Sequence, residues 1–499
     1  MKKKMSRALA LMLAMLTLAT LITSCSNTPD SAPDGTTEAG VPADNTTASA
    51  ETERFDDFGR PWVEDDLPEK VNYNRDFTVH SRGNVDKYEW NAESENGDLL
   101  NDAIFARNSR VEERLGINLV VIAEGSWSDY ASVSLPKIRA SIKAGNGTYD
   151  LLAGYESVTS LATDGYLLDL STLDAINFDK PWWSASFNEE MNIRGANYFA
   201  VGSLSTSMLY SMDCIFVNTD ILHESAGQSY NIYKKVNDRE WTFEEMKVRA
   251  AEAWVDKNGD LTVNAGDTIG AAFPDNSNSV IGFFYCTGNK LTSRIEEDPS
   301  FEGLNIERVS NTIDNLIDLL YKSDGIYPAN KTVVNFEDGD TLFFMRWLYW
   351  GQTKYAPNMD HYGIVPMPLQ DKDQENYVTP VQAGMHMYCI PFDVISSEQN
   401  AVITEAFAAE SYRSLMPKYF EVVLKTKYAK DAETSQMLDI MYDTVDFDFA
   451  YIFRTSINYW NGIQNIVTSQ NNTVSSSYSA LSKAANINLK KVISALLPK

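Results

Sequence analysis

One stretch of the 499-residue chain has the side chains and spacing of a cation loop. Asp256, Asn258, Asp260, Asn264 and Asp267 put oxygen ligands at positions one, three, five, nine and twelve, Thr262 stands at seven, and Val263 supplies the apolar eighth residue. An EF-hand-like calcium loop uses this pattern, and calcium held there would be structural. Leu261 replaces the glycine of position six, and Asp267 is shorter than the usual glutamate at twelve. The plain alternative is a polar turn after a helix that ends near Val255.

A second set of residues suits a polyhydroxylated ligand. Among 10 Trp and 25 Tyr, Trp127, Tyr155, Trp183, Trp347, Trp350 and Trp460 fall in or near expected loops, with Glu156, Asp213 and Arg346 among them. Aromatic faces accept the C–H faces of sugar rings, and carboxylates and guanidinium groups bond their hydroxyls. The alternative for each aromatic is a place in the core. Motifs for catalysis are missing: the four histidines (His80, His223, His361, His386) form no H-E-x-x-H, and G-x-S-x-G and a phosphate-cradling glycine loop do not occur. Carboxylate pairs for glycoside hydrolysis can be selected only by geometry among 69 acidic residues.

The elements that must position these residues alternate in type. Asp76–His80 reads as a strand, and Leu100, Ile104, Val111 and Leu115 mark a helix closed by Gly116. Ile117–Ile122 reads as a strand buried on both faces, Val133–Ile142 as a helix closed near Gly145, and Tyr149–Ala153 as a third strand. A β-α-β-α-β order implies parallel strands with ligands beyond their carboxyl ends, which singles out the loops at Ser81–Gly83, Gly125–Trp127 and Gly154–Glu156. Trp241-Thr242-Phe243-Glu244-Glu245-Met246 combines a capping box with a hydrophobic staple. Further helices are expected at Val309–Tyr321 and Ala401–Lys425, and strands at Tyr362–Pro366 and Met387–Pro391.

Lys2, Lys3, Lys4 and Arg7 precede an apolar run of fifteen residues, Ala8–Ile22, shorter than the roughly 20 a membrane span needs. Ile22-Thr23-Ser24-Cys25 resembles a bacterial lipobox, which implies a cleaved signal at 1–24 and a lipid on Cys25. Residues 25–70 are assigned to a flexible tether, because the Thr, Ala, Pro, Asp, Ser and Gly that dominate its first half offer little apolar surface to bury. Loss of the four signal cations takes the formal charge from −27 to −31, which argues against nucleic acid as a partner. The roughly 430 residues that follow exceed the size of one core, so two lobes are expected. Cys214, Cys286 and Cys389 match no zinc spacing; they read as small buried hydrophobes, with room for one disulfide.

Five phrases, in order, resemble the extracellular solute-binding proteins of ABC importers, the family that includes maltose-binding protein: YDLLAGYESVTSLATDGYLLDLSTL, VGSLSTSMLYSMDCIFVNTDIL, WTFEEMKVRAAEAWVDKNGD, FEDGDTLFFMRW and HYGIVPMPLQD. The resemblance implies an α/β, two-lobed periplasmic-binding-protein-like fold of type II. It assigns residues 71–205 and 343–391 to one lobe and 206–342 and 392–499 to the other, with hinges near Leu204–Tyr210, Thr341–Met345 and Pro391–Asp393. It also implies a monomer outside the membrane that captures a small solute, most simply an oligosaccharide, and passes it to an ABC permease without catalysis. Two other classes stay open at this stage: a secreted polysaccharide-degrading lipoprotein and an almost all-helical surface glycan-binding lipoprotein.

Overall fold

The computed structural model describes residues 54–83, 85–126, 128–273, 276–302, 304–328, 334–382, 384–429 and 431–497. Cys25, the signal segment, most of the expected tether and Trp127 lie outside the described residues.

The first sheet follows the alternation read in the sequence. Strand β1 (Arg75–Ser81) pairs in parallel with β2 (Ile117–Ala123), from Arg75 opposite Ile117 to Ser81 opposite Ala123, and with β3 (Leu151–Gly154) on its other side. Helix α1 (Leu99–Leu115) starts where the Asp98 carboxylate accepts from the N–H groups of Leu100 and Asn101, and it stops at Gly116, whose φ is 60°. A side chain at Gly116 would meet Asn72, with its Cβ 2.2 Å from Oδ1, so glycine is required there for space as well as conformation. Helix α2 (Tyr130–Ala144) completes the second crossover. Strand β3 is buried throughout, whereas β2 lies at the sheet edge and is mostly half-buried, so the apolar run Ile117–Ile122 is not covered on both faces as expected.

The second sheet is built from β4 (Asp213–Asn218), β5 (Ile269–Ala272), β6 (Ile326–Tyr327), β7 (Thr341–Trp347) and β8 (Tyr362–Pro366), in the order β8-β4-β7-β5-β6. Helices α3 (Phe243–Ala253), α4 (Asn276–Tyr285) and α5 (Ile306–Tyr321) join these strands. The Thr242 side chain accepts from the N–H of Glu245, and Trp241 and Met246 are buried beside it, as the capping box and staple require. The chain then returns to the first sheet at β9 (Met387–Cys389), which runs antiparallel to β3. Helix α6 (Ser397–Glu410) packs on α1, α7 (Ala432–Asp443) packs on β8, and the long α8 (Val474–Leu496) closes the described chain.

Three expectations need correction here. Residues 343–366, placed by the resemblance in the lobe of the first sheet, supply β7 and β8 to the second, because the buried run Thr341–Met345 pairs with both β4 and β5. Thr341–Met345 is thus a central strand and no hinge, and Pro391 bridges to Leu167 within the first layer. The chain passes between sheets at 204–213, through the described residues 380–382 and 384–387, and along 411–429. Residues 54–70 are also no free tether. Asp65 is buried and accepts from Arg114 at 2.6 and 2.9 Å and from Arg413 at 2.9 Å, which fixes this segment to the first layer. The four-stranded and five-stranded sheets rule out the almost all-helical alternative. Cys214, Cys286 and Cys389 are buried free thiols.

Candidate functional site

The loop after β3 projects Tyr155 and Glu156 from the carboxyl edge of the first sheet, where an α/β sheet presents its binding groups. Glu156 is 9 % exposed and forms an ion pair with Arg454. Burial pushes its carboxyl up to about 7, against the lowering pull of Arg454. The Arg454 guanidinium lies 4.5 Å from the Tyr451 ring, and the Tyr451 hydroxyl donates to Gln382 Oε1 at 3.3 Å. Gln382 is the hub of the cluster. Its Nε2 donates to Asp213 Oδ2 at 2.5 Å and to the carbonyl of Asn278 at 3.4 Å, and its backbone N–H donates to the carbonyl of Ser211 at 2.9 Å. A contact path thus runs from the end of β3 to the start of β4, linking both sheets. Around it the buried hydroxyls of Ser211 and Ser279 make no hydrogen bond to any described residue.

Arg82, at the end of β1, joins this path to an aromatic groove. Its guanidinium is buried, donates to the carbonyl of Gly384 at 2.7 Å, and lies 5.3 Å from the Tyr155 ring while also interacting with Tyr210. Burial pulls its pKa below the ordinary guanidinium value. Tyr210 packs 5.8 Å from Tyr88 and 5.7 Å from Tyr349, and Tyr88 and Tyr349 stand 6.3 Å apart edge to face. Tyr88 and Tyr349 wall a groove of about 700 Å³ with Lys87, Asn101, Gln352 and Val423. The groove thus has two half-buried aromatic walls and amide side chains, the combination that receives sugar rings and hydroxyls.

The residues singled out in the sequence separate into three groups. Tyr155, Glu156 and Asp213 belong to the path just described. Arg346, Trp347 and Trp350 cluster at the end of β7: Trp347 is paired across the sheet with Asp213, and the Arg346 guanidinium lies 4.8 Å from the Trp350 ring. Trp183 and Trp460 sit in the core. The Trp183 indole donates to Glu405 Oε2 at 2.9 Å beside Trp182, which donates to Oε1 at 2.8 Å. Trp460 is buried against Phe284, Tyr285 and Tyr451, where it backs the wall of the path. Both are buried, and neither lines the tyrosine groove.

In the loop at 256–267 the carboxylates bond their own backbone. Asp256 accepts from Gly259 at 2.6 Å and Leu261 at 2.8 Å, Asn258 from Asp260 at 2.8 Å, Asp260 from Thr262 at 2.8 Å, and Asp267 from Lys257 at 3.1 Å and Asn264 at 3.0 Å. Leu261 takes φ 60°, the left-handed conformation that glycine takes at the sixth position. Among the described residues no group of three or more His, Cys, Asp or Glu side chains is arranged to hold a metal ion.

Gln382, Tyr451 and Arg454 were missed in the sequence because they reach the site only through the return of the chain after β8. Tyr349 carried a local signal, an aromatic just beyond β7, but one shared by many core residues; Tyr88, seven residues past the end of β1, carried none.

No protein-family model and no curated protein sequence matches the chain. Solved structures do. A sugar transporter from Rhizobium etli in an open conformation shares 13 % identity at a TM-score of 0.54, over 83 % of this chain and 99 % of that one. The cyclic alpha-maltosyl-1,6-maltose binding protein of Arthrobacter globiformis shares 15 % at a TM-score of 0.54, over 83 % and 99 %. The galacto-N-biose-/lacto-N-biose I-binding protein of a Bifidobacterium longum ABC transporter, solved with lacto-N-biose, shares 9 % at a TM-score of 0.53, over 84 % and 97 %. The chain therefore has the α/β fold of the type II, maltose-binding-protein-like sugar-binding proteins of ABC importers.

Proposed function

We propose that this chain is an extracytoplasmic solute-binding protein, lipid-anchored through Cys25 and acting as a monomer, that captures a saccharide and delivers it to an ABC permease. The observation that carries the reading is the joining of two sheets through one polar path, Glu156–Arg454–Tyr451–Gln382–Asp213, beside a tyrosine-walled groove. A ligand that bridges residues from both sheets stabilises the conformation in which they face each other, by its differential affinity for that state. The sugar-binding proteins that share the fold support a saccharide as the ligand class. The reading involves no bond-breaking step and no cofactor. A structural calcium at 256–267 is retained in it, on the spacing of the oxygen side chains and the left-handed Leu261.

The test is a thermal-shift screen of the mature protein against mono- and oligosaccharides, with product analysis. A binder at a hundred times its dissociation constant adds about 2.7 kcal/mol of stability. A raised midpoint with the sugar recovered intact supports the reading; cleavage of a glycan, or no shift with any saccharide, removes it. Metabolic lipid labelling that is lost in Cys25→Ala tests the anchor separately.

A further inference from the structure

The last passage between the sheets has an unusual winding. After α6 the helix opens into wide π-type turns at Ser411–Leu415 and again at Lys418–Tyr428. Such turns inside helices recur at functional positions. Their near end lies on α1 of the first layer, and their far end reaches the second: the Tyr419 hydroxyl donates to Gln352 Oε1 at 2.6 Å, and Lys425 pairs with Asp439 of α7 at 2.5 Å. Val423 forms part of the wall of the tyrosine groove.

Two consecutive residues of the first wide turn are gripped from outside by the segment that ends the tether. Arg60 Nη2 donates to the carbonyl of Tyr412 at 2.5 Å, and its guanidinium lies 4.4 Å from the Tyr412 ring. Arg413 donates to Asp65 Oδ2 at 2.9 Å and to the carbonyl of Val63 at 2.5 Å. The same guanidinium stacks 3.9 Å from the Trp62 ring. Asp65 is shared with Arg114 of α1, so one carboxylate ties this segment, the wide turn and the first layer together.

We propose that residues 54–69 are a strap whose docking on Tyr412 and Arg413 sets the winding of the last crossover and, through Tyr419 and Val423, the wall of the groove beside Tyr349. The effect on winding is independent of what the groove binds; the effect on affinity rests on the saccharide-binding reading. A pull on the chain ahead of the strap then acts on the groove without any contact between tether and ligand. Burial pushes the Asp65 carboxyl up, but the two guanidinium groups outweigh it and hold it down at about 2, so the strap stays charged and docked across the neutral pH range.

Hydrogen–deuterium exchange of the mature protein tests this without a ligand. In Asp65→Asn the amides of residues 411–428 exchange at least tenfold faster, while β4 and β7 keep their protection. Trp62→Leu, which keeps the carboxylate, gives a smaller acceleration of the same peptides and serves if Asp65→Asn does not fold. Asp238→Asn, at an exposed pair with Lys234 outside the strap, changes nothing. Unchanged exchange in 411–428 in both strap variants overturns the proposal. Equal acceleration in β4 and β7 also overturns it, because the segment is then ordinary core packing.

Discussion

The polar path and the tyrosine groove answer a ligand in different ways. Along the path, charged and amide groups are buried and close on one another, with Glu156 on Arg454 and Gln382 on Asp213. The groove instead keeps about 700 Å³ of open space between uncharged rings and amides, with charge confined to side chains such as Lys87 and Asp98. A ligand entering the path must replace protein contacts already made, so its net gain there is small and its selectivity high. A ligand entering the groove displaces water from aromatic faces and gains affinity directly. On the proposed function, the difference assigns stability and pH dependence to the path, and the larger part of affinity to the groove.

The largest effect expected from this division is a pH dependence. The Glu156 carboxyl titrates at about 7 in the folded chain, above its ordinary 4.5. The folded state therefore holds a proton that the unfolded state has lost, and stability falls as pH rises from 4.5 through 7. The full loss is on the order of 3 kcal/mol. Denaturant melts of Glu156→Gln across this range should lose that part of the slope; an unchanged slope assigns it to other buried acids such as Glu405, also raised to about 7 by burial. Next in size is Arg454→Ala. Breaking a fully buried pair costs about 3–5 kcal/mol, but the Arg454 side chain keeps 23 % of its surface in water, so about 2 kcal/mol is expected in the same melts.

Tyr349→Ala separates the two regions most sharply. It should weaken saccharide binding about tenfold in titration calorimetry, while changing stability by less than about 1 kcal/mol, because the ring is only half-buried. Equal losses of stability and affinity would erase the distinction between path and groove. The smallest effect belongs to the loop outside both regions. Leu261 is 83 % exposed at φ 60°, so Leu261→Gly relieves backbone strain at no cost in packing and should stabilise the chain by roughly 0.5 kcal/mol. A calcium titration of both forms shows whether the loop takes the ion, and tighter binding by the glycine form is expected.

The features legible in the sequence were those set by local chemistry. Gly116 and Gly145 end their helices with φ of 60° and 64°, and Thr242 caps α3, because each depends on a few adjacent residues. The position of Tyr155 and Glu156 followed from strand order alone. Sheet membership was harder: Thr341–Met345 and Tyr362–Pro366 are apolar runs that either sheet would accept, and only pairing with β4 decides. The site residues that escaped notice, Gln382, Tyr451 and Arg454, lie more than 200 residues from Glu156 and carry no motif. The burial of Trp183 and Trp460 was illegible for the converse reason, since an aromatic in a loop-like stretch looks the same whether it faces solvent or a buried carboxylate such as Glu405.

The proposed function requires that an intact saccharide bridge the path and the groove. It is tested most directly by titration calorimetry of the mature protein with the strongest saccharide from the thermal screen, followed by analysis of the recovered ligand. One site per chain, a ligand recovered whole, and a loss of affinity in both Tyr349→Ala and Glu156→Gln are expected. A ligand recovered as fragments, or binding that both substitutions leave unchanged, contradicts the proposed function.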